Sequence, residues 1–276
     1  MKPESPIIES DRLHAVQREI LHAVVDLCNH ENITYFTLGG TTLGAVRESG
    51  FIKWDDDIDI GMMRSDYERF IQLAPKKLPS DYILMHYSTE PKCYTYFAKV
   101  MKTGTRFEED YCSGLDVLKG IYIDVKPIDL IPNNRILQQI HWIKVRVYEQ
   151  LFLSKVLTKT SVYNKKKNIF YYCKSLIRPL MHCVVRGVSR DKLFCLLDNC
   201  VKKYNNHHTL YASFRGEKKT KGLVKDYTKV MNFKFDNLVV AVPCGYKNLL
   251  TNQFGKDYMI PVRKETGHSP KIVEYE

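Results

Sequence analysis

Four aspartates fall within five residues of this 276-residue chain, at positions 55, 56, 57 and 59, and isoleucines alternate with the last of them. The alternation from Asp57 to Ile60 predicts a β-strand with one acidic face. Residues two apart on a strand point to the same side, so the carboxylates of Asp57 and Asp59 are expected ~6 to 7 Å apart. Like charges at that spacing repel unless a cation lies between them. The run therefore predicts a site for Mg²⁺ or Mn²⁺, which prefer hard oxygen ligands.

Further carboxylates fit the same site. Asp55 lies on the alternation of Asp57 and Asp59, and Asp124 sits in a predicted strand over residues 120–125. Because Ile123 and Val125 flank Asp124, a solvated charge is not expected at this position. Asp124 is therefore predicted to be a metal ligand that comes from a second strand. Two alternatives stay open: Asp124 as a salt-bridged structural carboxylate, and the acidic run as a solvated turn. The Gly and Glu offsets of a familiar calcium loop are missing.

A glycine pair precedes the acidic run. Residues 33–38 are rich in β-branched and aromatic residues, which predicts a strand that ends at Gly39-Gly40. Thr41 or Thr42 is expected to cap a short helix over residues 43–48. Backbone N–H groups at such a turn, next to a helix N-terminus, can hold phosphate oxygens. Arg47 and Lys99 could neutralise phosphate charge nearby, with surface solvation as the alternative for each.

The remaining elements are predicted from periodicity and capping signals. Ser10 is expected to cap an opening helix, and Ser65 with Glu68 to form a capping box for a helix over residues 66–73. Residues 82–101 have the character of strands. The stretch from residue 135 to about 204 is predicted to be helical, with one apolar face formed by Ile140, Ile143, Val147 and Leu151.

Positive charge is concentrated in the middle of the chain. The net charge is +11, but residues 134–235 contain 22 Lys/Arg against 5 Asp/Glu, which leaves 20 against 26 elsewhere. That middle region therefore carries +17 and the rest −6. We expect a catalytic core over residues 1–133, a basic helical region over 134–235, and a C-terminal segment over 236–276 that returns to the core. Such a basic block suits nucleic acid, an anionic membrane surface or a phosphorylated substrate.

The sequence predicts a cytoplasmic protein. The first twelve residues include three acidic ones and lack the apolar stretch of a secretory signal. Nowhere do ~18 apolar residues follow one another without charge, so a spanning helix is not expected. The eight cysteines show no paired CxxC spacing, which fits reduced thiols.

Three segments together resemble the signature of the LicD family: residues 38–47 (LGGTTLGAVR), 50–60 (GFIKWDDDIDI) and 121–129 (IYIDVKPID). The tail adds matches at Val242-Pro243, Gly245-Tyr246, residues 254–258, Pro261 and His268. The resemblance touches both ends of the chain and skips the basic middle. It implies an α+β fold, with the mixed sheet of polymerase-β-like nucleotidyltransferases flanked by helices and carrying a basic helical insertion.

The resemblance also implies roles for individual residues. Asp57, Asp59 and Asp124 would be the catalytic carboxylates, and with Asp55 they are the candidate metal ligands. The gap between Gly40 and Asp57 is longer than in the plain nucleotidyltransferase pattern, so it stays open which of Asp55, Asp57 and Asp59 bind the ion. The donor phosphates would be held by Gly39, Gly40, Thr41, Arg47, Lys99 and His268.

LicD proteins are transferases related to the fukutin group, and many are assigned phosphorylcholine transfer from CDP-choline to bacterial surface glycans. The resemblance implies metal-dependent transfer of phosphocholine, from CDP-choline or another CDP-alcohol, to a hydroxyl of a glycan precursor of teichoic acid, lipopolysaccharide or capsule. CMP would leave. Because a quaternary ammonium cannot donate a hydrogen bond, an aromatic pocket is expected, with the candidates Trp54, Tyr94, Tyr96 and Tyr122.

The basic middle region would suit a lipid-linked glycan acceptor and peripheral contact with the anionic inner face of the cell membrane. Nucleic acid is not the expected partner. The leading alternative is a nucleotidyltransferase that adds a nucleoside monophosphate to RNA or to a small molecule. A non-catalytic binding protein is disfavoured by the density of acidic residues. The transferred alcohol, whether choline, ethanolamine, ribitol or glycerol, stays open.

Overall fold

The computed structural model describes residues 6–109, 116–155, 180–262 and 270–275. The first part of the chain forms α1 (Pro6–His30), β1 (Phe36–Thr37), α2 (Gly39–Arg47), β2 (Asp59–Met63), α3 (Arg64–Lys77), β3 (Tyr82–Met85), β4 (Ala98–Lys102), β5 (Thr105–Glu109) and β6 (Tyr122–Ile131). The second part forms α4 (Arg135–Ser154), α5 (Arg190–Val201), β7 (Tyr211–Ser213), β8 (Gly222–Leu223), α6 (Val224–Thr228), β9 (Val230–Phe235), β10 (Leu238–Pro243), α7 (Tyr246–Phe254) and β11 (Pro270–Tyr275).

One mixed sheet organises the molecule. Its strands lie side by side in the order β1, β2, β6, β4, β3. β2 and β6 run parallel, whereas β1 with β2, β4 with β6 and β3 with β4 are antiparallel. A parallel pair needs a crossover connection, and α3 with β3 to β5 supplies it. The last residues of β6 pair with β7, which pairs with β8. The expected mixed sheet flanked by helices is thereby confirmed.

The main core lies between the sheet and the helices that cover it. Ile20, Leu21 and Val24 of α1 and Phe70 of α3 are fully buried there, together with the central residues of β6. The strand β6 is buried at the consecutive residues Tyr122 to Val125, so both of its faces are covered there, and α1 and α3 both contact it. A charged side chain in this strand therefore needs a partner.

Several local predictions were wrong. Ser10 lies inside α1, and Thr41 and Thr42 lie inside α2, which begins at Gly39 after Leu38. The two threonine hydroxyls have tertiary partners instead: Thr42 Oγ1 donates to Thr37 Oγ1 at 2.9 Å, and Thr41 Oγ1 accepts from the Asp59 backbone N–H at 2.9 Å. The Ser65 capping box does not form, since α3 begins at Arg64 without a side-chain cap.

The expected apolar face of α4 points away from the described core. Ile140, Ile143 and Val147 are 44%, 53% and 50% exposed, while Val145 and Phe152 pack against α5. The buried side of α4 includes Glu149, a charged residue that ion-pairs with arginine side chains. Among the described helices, none combines the length and the apolar character needed to cross a membrane.

A buried polar network joins the basic region to the sheet. Arg64, at the start of α3, donates two hydrogen bonds to the carboxylate of Asp129, at 2.8 and 2.6 Å. Arg64 also donates to the hydroxyl of Tyr96, which donates to Asp198 of α5 at 2.9 Å. Asn205 donates to Asp129 at 2.7 Å. The ion pair is almost fully buried, so its stability depends on these additional hydrogen bonds.

Candidate active site

Three adjacent strands place charged side chains in one row. Asp59 of β2 lies opposite Asp124 of β6, and Asp124 lies opposite Lys99 of β4. Side chains opposite one another on neighbouring strands point to the same face of a sheet. Lys99 Nζ donates to Asp124 Oδ1 at 2.7 Å and lies 3.2 Å from the ring centroid of Tyr122. The buried Lys99 therefore neutralises Asp124 in this structure.

Lys126 is a second ammonium on the same face. It follows Asp124 by two residues, forms a short ion pair with Asp59 Oδ1, and lies 3.4 Å from Asp124 Oδ2. Burial by itself lowers the pKa of Lys126, but Asp59, Asp124 and Asp57 together raise it above the ordinary value. The ammonium is therefore charged at neutral pH. Lys126 was not among the residues predicted from the sequence, although its two-residue spacing from Asp124 on a predicted strand was a usable signal.

The acidic run concentrates negative charge directly before β2. Asp55, Asp56 and Asp57 each offer one carboxylate oxygen, and these oxygens all lie within 4.8 Å of one another. Burial, and then the charges of Asp57 and Asp59, raise the pKa of Asp55 to about 8. Burial also raises the pKa of Asp59 to about 6, against the opposing effect of Lys126. A proton or a cation bound here would relieve this repulsion.

Helix α1 holds the backbone of the acidic run. His14 Nε2 lies 2.7 Å from the carbonyl oxygen of Asp55, and Gln17 Nε2 donates to the carbonyl oxygen of Asp56 at 2.9 Å. The His14 ring stacks on Phe51 at a centroid distance of 3.8 Å. Burial lowers the pKa of His14, so the neutral ring can donate this bond. No sequence pattern indicated these contacts, because the partners are about 40 residues apart.

The glycine turn meets the acidic run at close range. Gly39 has φ +52°, a left-handed conformation that favours glycine. A Cβ on Gly40 would lie 2.2 Å from Asp55 Oδ2, so only glycine lets the carboxylate approach the start of α2. Leu38 N–H donates to the carbonyl oxygen of Asp59 at 2.9 Å. The N-terminus of α2 and the carboxylates therefore share one location.

A cleft of about 520 Å³ opens along α2, the acidic run and the C-terminal segment. It is lined by Gly40, Leu43, Arg47, Ile52, Trp54, Asp55, Asp57, Asp59, Gln253, Phe254, Asp257, Tyr258, Ile260 and Val262. The Arg47 guanidinium donates from Nε to Glu48 Oε1 at 2.7 Å and from Nη1 to the carbonyl oxygen of Tyr258 at 3.0 Å. The structure thus brings together Gly40, Arg47, Trp54 and the three aspartates predicted from sequence.

Other predicted site residues lie elsewhere. Tyr94, Tyr96 and Tyr122 are buried, between 3% and 4% exposed, and do not line the cleft with Trp54. Tyr96 belongs to the Arg64 network, and Tyr122 covers Lys99. The sheet and its neighbours enclose these rings, which sequence alone could not tell from pocket aromatics.

The tail contributes residues that the sequence analysis did not assign. Gln253, Phe254, Asp257 and Tyr258 all line the cleft, and the resemblance over residues 254–258 was the signal that could have indicated them. His268, predicted to contact phosphate, lies outside the described residues.

These contacts define a mixed α/β protein with an acidic cleft, built where a glycine turn meets the edge of a mixed sheet. The chain belongs to the LicD/FKTN/FKRP family, because the model of that family's nucleotidyltransferase domain matches residues 32–190. The matched span includes the glycine turn, the acidic run, Lys99 and the strand with Asp124. The family expected from the sequence is thereby confirmed.

Three bacterial proteins are similar to this chain. The lipopolysaccharide cholinephosphotransferase LicD of Haemophilus influenzae is 25% identical to this chain over 244 residues, which cover 84% of each protein. An uncharacterised protein of Rickettsia typhi is 43% identical over 61 residues, 22% of this chain and 20% of that protein. Another from Rickettsia prowazekii is 45% identical over 51 residues, 18% of this chain and 19% of that protein.

Proposed function

We propose that this protein transfers a phosphorylated alcohol, phosphocholine from CDP-choline, to a hydroxyl of a bacterial surface glycan. The observation that carries the proposal is the meeting of the Gly39-Gly40 turn with Asp55, Asp57 and Asp59 in one cleft. Family membership supports a polymerase-β-like catalytic arrangement, and the named Haemophilus relative supports phosphocholine as the group and a glycan as the acceptor.

The carboxylates of the cleft fit a divalent metal ion. Asp55, Asp56 and Asp57 gather oxygen donors within 4.8 Å. Burial first, and then the neighbouring carboxylates, raise the pKa of Asp55, and a cation would offset that repulsion. Hard oxygen donors of this kind suit Mg²⁺ or Mn²⁺. We propose Asp55, Asp57 and Asp59 as the residues that would hold the ion, because these three line the cleft together. A metal role for Asp124 stays a prediction, because Lys99 and Lys126 contact its two oxygens.

The chain's own groups would carry the remaining steps. Backbone N–H groups at Gly39 and Gly40 would bind donor phosphate oxygens at the N-terminus of α2. A carboxylate of the cleft would orient the acceptor hydroxyl and take its proton as the oxygen bonds to the distal phosphorus. The bond from that phosphorus to the bridging oxygen breaks, and CMP leaves with the electron pair. A bound metal ion would supply neutralising charge for the diphosphate.

A donor screen tests the function. The full chain is incubated with Mg²⁺, a lipopolysaccharide or teichoic acid acceptor, and one CDP-alcohol at a time. The CDP-alcohols are those of choline, ethanolamine, ribitol and glycerol, and the products are identified by mass spectrometry. We expect CMP release and a phosphocholine adduct, with both reduced at least ~100-fold in Asp57→Asn and Asp59→Asn. Asp116→Asn, a change at a side chain 91% exposed, is the matched control and should retain activity.

The same screen separates the alternative. A nucleotidyltransferase would leave CMP attached to the acceptor and release the phosphorylated alcohol, so the mass of the product decides. A chain that transfers neither group, yet gains thermal stability with donor, would be a binding protein.

We also propose peripheral contact with an anionic membrane surface through α4. Ile136, Ile140, Ile143 and Val147 form an exposed apolar stripe on this helix, within a region of net charge +17. An apolar stripe in a basic setting suits a lipid interface. Cosedimentation with phosphatidylglycerol vesicles should exceed that with phosphatidylcholine vesicles, and an Ile140→Gln, Ile143→Gln variant should lose it. Equal recovery of the variant would refute this contact.

A further inference from the structure

The cleft has two chemically different ends, and helix α2 sets their separation. At its N-terminus, Gly40 abuts Asp55, and Gly39 lies near Asp59 and Gln253. At its C-terminus, Arg47 binds the carbonyl oxygen of Tyr258. The nine residues of α2 span about 12 Å at 1.5 Å per residue. One end is therefore acidic and beside a glycine turn, and the other adjoins the segment after α7.

The second end is aromatic. Trp54, Phe254 and Tyr258 all line the cleft and all pack against one apolar cluster, formed by Leu43, Ile52 and Leu250. Each of the three rings is partly buried, so the cluster holds one part of the ring while another part faces the cleft. Three anchored rings around one space make a rigid wall without ordering cost at binding.

The charges at this end favour a cation. Asp257 adds a carboxylate to the cleft wall beside the rings. The nearby Arg47 guanidinium is only 8% exposed and is neutralised by Glu48, so it does not present an uncompensated positive charge. Aromatic faces attract cations, and a quaternary ammonium gains most because its methyl groups contact the rings and lose little hydration. A primary ammonium could donate to the Asp257 carboxylate, but its other N–H groups would face the rings without an acceptor, so it is expected to bind less well.

We propose that Trp54, Phe254 and Tyr258, with the carboxylate of Asp257, form the pocket that recognises the quaternary ammonium of the transferred alcohol. This inference rests on the proposed function, because it assigns the alcohol end of the same donor. It replaces the buried Tyr94, Tyr96 and Tyr122 as the recognition residues. It also predicts that the enzyme selects choline over ethanolamine and over neutral polyols.

The test measures binding apart from transfer. Dissociation constants of CDP-choline, CDP-ethanolamine, CMP and phosphocholine are determined by calorimetry for the full chain and for Phe254→Leu, Tyr258→Leu and Tyr258→Phe. We expect roughly tenfold weaker binding of CDP-choline and phosphocholine in the two leucine variants, with CMP affinity unchanged within about twofold. Tyr258→Phe keeps the ring and should bind as the wild type does.

The chain offers a matched control in Tyr246. This tyrosine also lies on α7 and packs against the same apolar cluster, but it does not line the cleft. Tyr246→Leu should therefore leave the preference for choline over ethanolamine unchanged, while Phe254→Leu should abolish it. Melting temperatures of all variants show whether the fold is kept.

The outcomes distinguish the two proposals. Loss of CMP affinity in parallel with CDP-choline would mean that the rings stack on the base, and it would overturn this inference. An equal effect of Tyr246→Leu would overturn it as well. A wild type that transfers no alcohol from any donor refutes the proposed function, while phosphocholine binding by the wild type and its loss in Phe254→Leu would still support the pocket.

Discussion

Replacing Gly40 by alanine should separate catalysis from stability. A Cβ at this position would lie 2.2 Å from Asp55 Oδ2, whereas ordinary contact begins near 3.4 Å, so the carboxylate must move by about 1 Å. The backbone of Asp55 cannot follow easily, because it is held at two points. The carbonyl oxygen of Asp55 lies 2.7 Å from His14 Nε2, and the N–H of Asp55 donates to the carbonyl oxygen of Ile52 at 2.8 Å. A misplacement of about 1 Å at a reacting centre costs roughly 100-fold in rate.

Stability should hardly change in the same variant. Gly40 lies in α2, and alanine is favoured over glycine in a helix by about 1 kcal/mol, which offsets part of the local strain. We expect phosphocholine transfer to fall by roughly 100-fold, with the melting temperature within a few degrees of the wild type.

The assay is CMP release from CDP-choline, with unfolding followed by circular dichroism. Gly187→Ala is the matched control, since a Cβ there meets nothing within 4 Å, and its activity should be unchanged. Transfer by Gly40→Ala within about threefold of the wild type would show that the Asp55 carboxylate does not need this approach.

Three further changes test the charges in the structure. Burial lowers the pKa of His86 from 6.5 to about 4, so on acidification the histidine is protonated in the unfolded chain before it is protonated in the folded one. The free energy of unfolding of the wild type, measured by urea titration, should therefore fall by about 3 kcal/mol between pH 7.5 and pH 4 relative to that of His86→Gln. Arg64→Met leaves the buried Asp129 carboxylate unpaired and should cost about 3 to 5 kcal/mol in the same titration. Lys126→Met removes the partner of Asp59 and should lower the melting temperature, with millimolar Mg²⁺ reducing the difference because a divalent ion can neutralise the same carboxylates.

Each of these has a contrary result. A pH-independent difference for His86→Gln would mean that the buried ring accepts a proton when folded. Arg69→Met is the control for Arg64, because this side chain is 50% exposed and its removal should cost less than about 1 kcal/mol. Equal destabilisation by both arginine changes would refute the buried pair. A loss in Lys126→Met that Mg²⁺ leaves untouched would argue against a metal ion beside Asp59.

The local sequence determined the family and the main chemical groups of the site. The Gly39-Gly40 turn and the strand around Asp124 follow short-range rules, since glycine freedom and strand alternation act between near neighbours. The strand predicted from Asp57 onward begins only at Asp59, so Asp57 precedes β2 and does not share a strand face with Asp59. The mixed sheet flanked by helices was expected from the family resemblance and not from these local patterns. Asp59 and Asp124 do face each other on neighbouring strands, as expected for carboxylates from two predicted strands.

Only the tertiary structure decided which groups meet. Lys99 and Lys126 reach Asp124 and Asp59 because the strands pair in one particular register, and a shift by one residue would turn these side chains to the other face. His14 and Gln17 reach the acidic run across 40 residues, and Phe254 and Tyr258 reach the cleft from the far end of the chain. Trp54 lines the cleft, whereas Tyr94 and Tyr96 are buried in the core. This difference could not be predicted, because the exposure of a side chain depends on packing between distant segments, which short-range patterns do not encode.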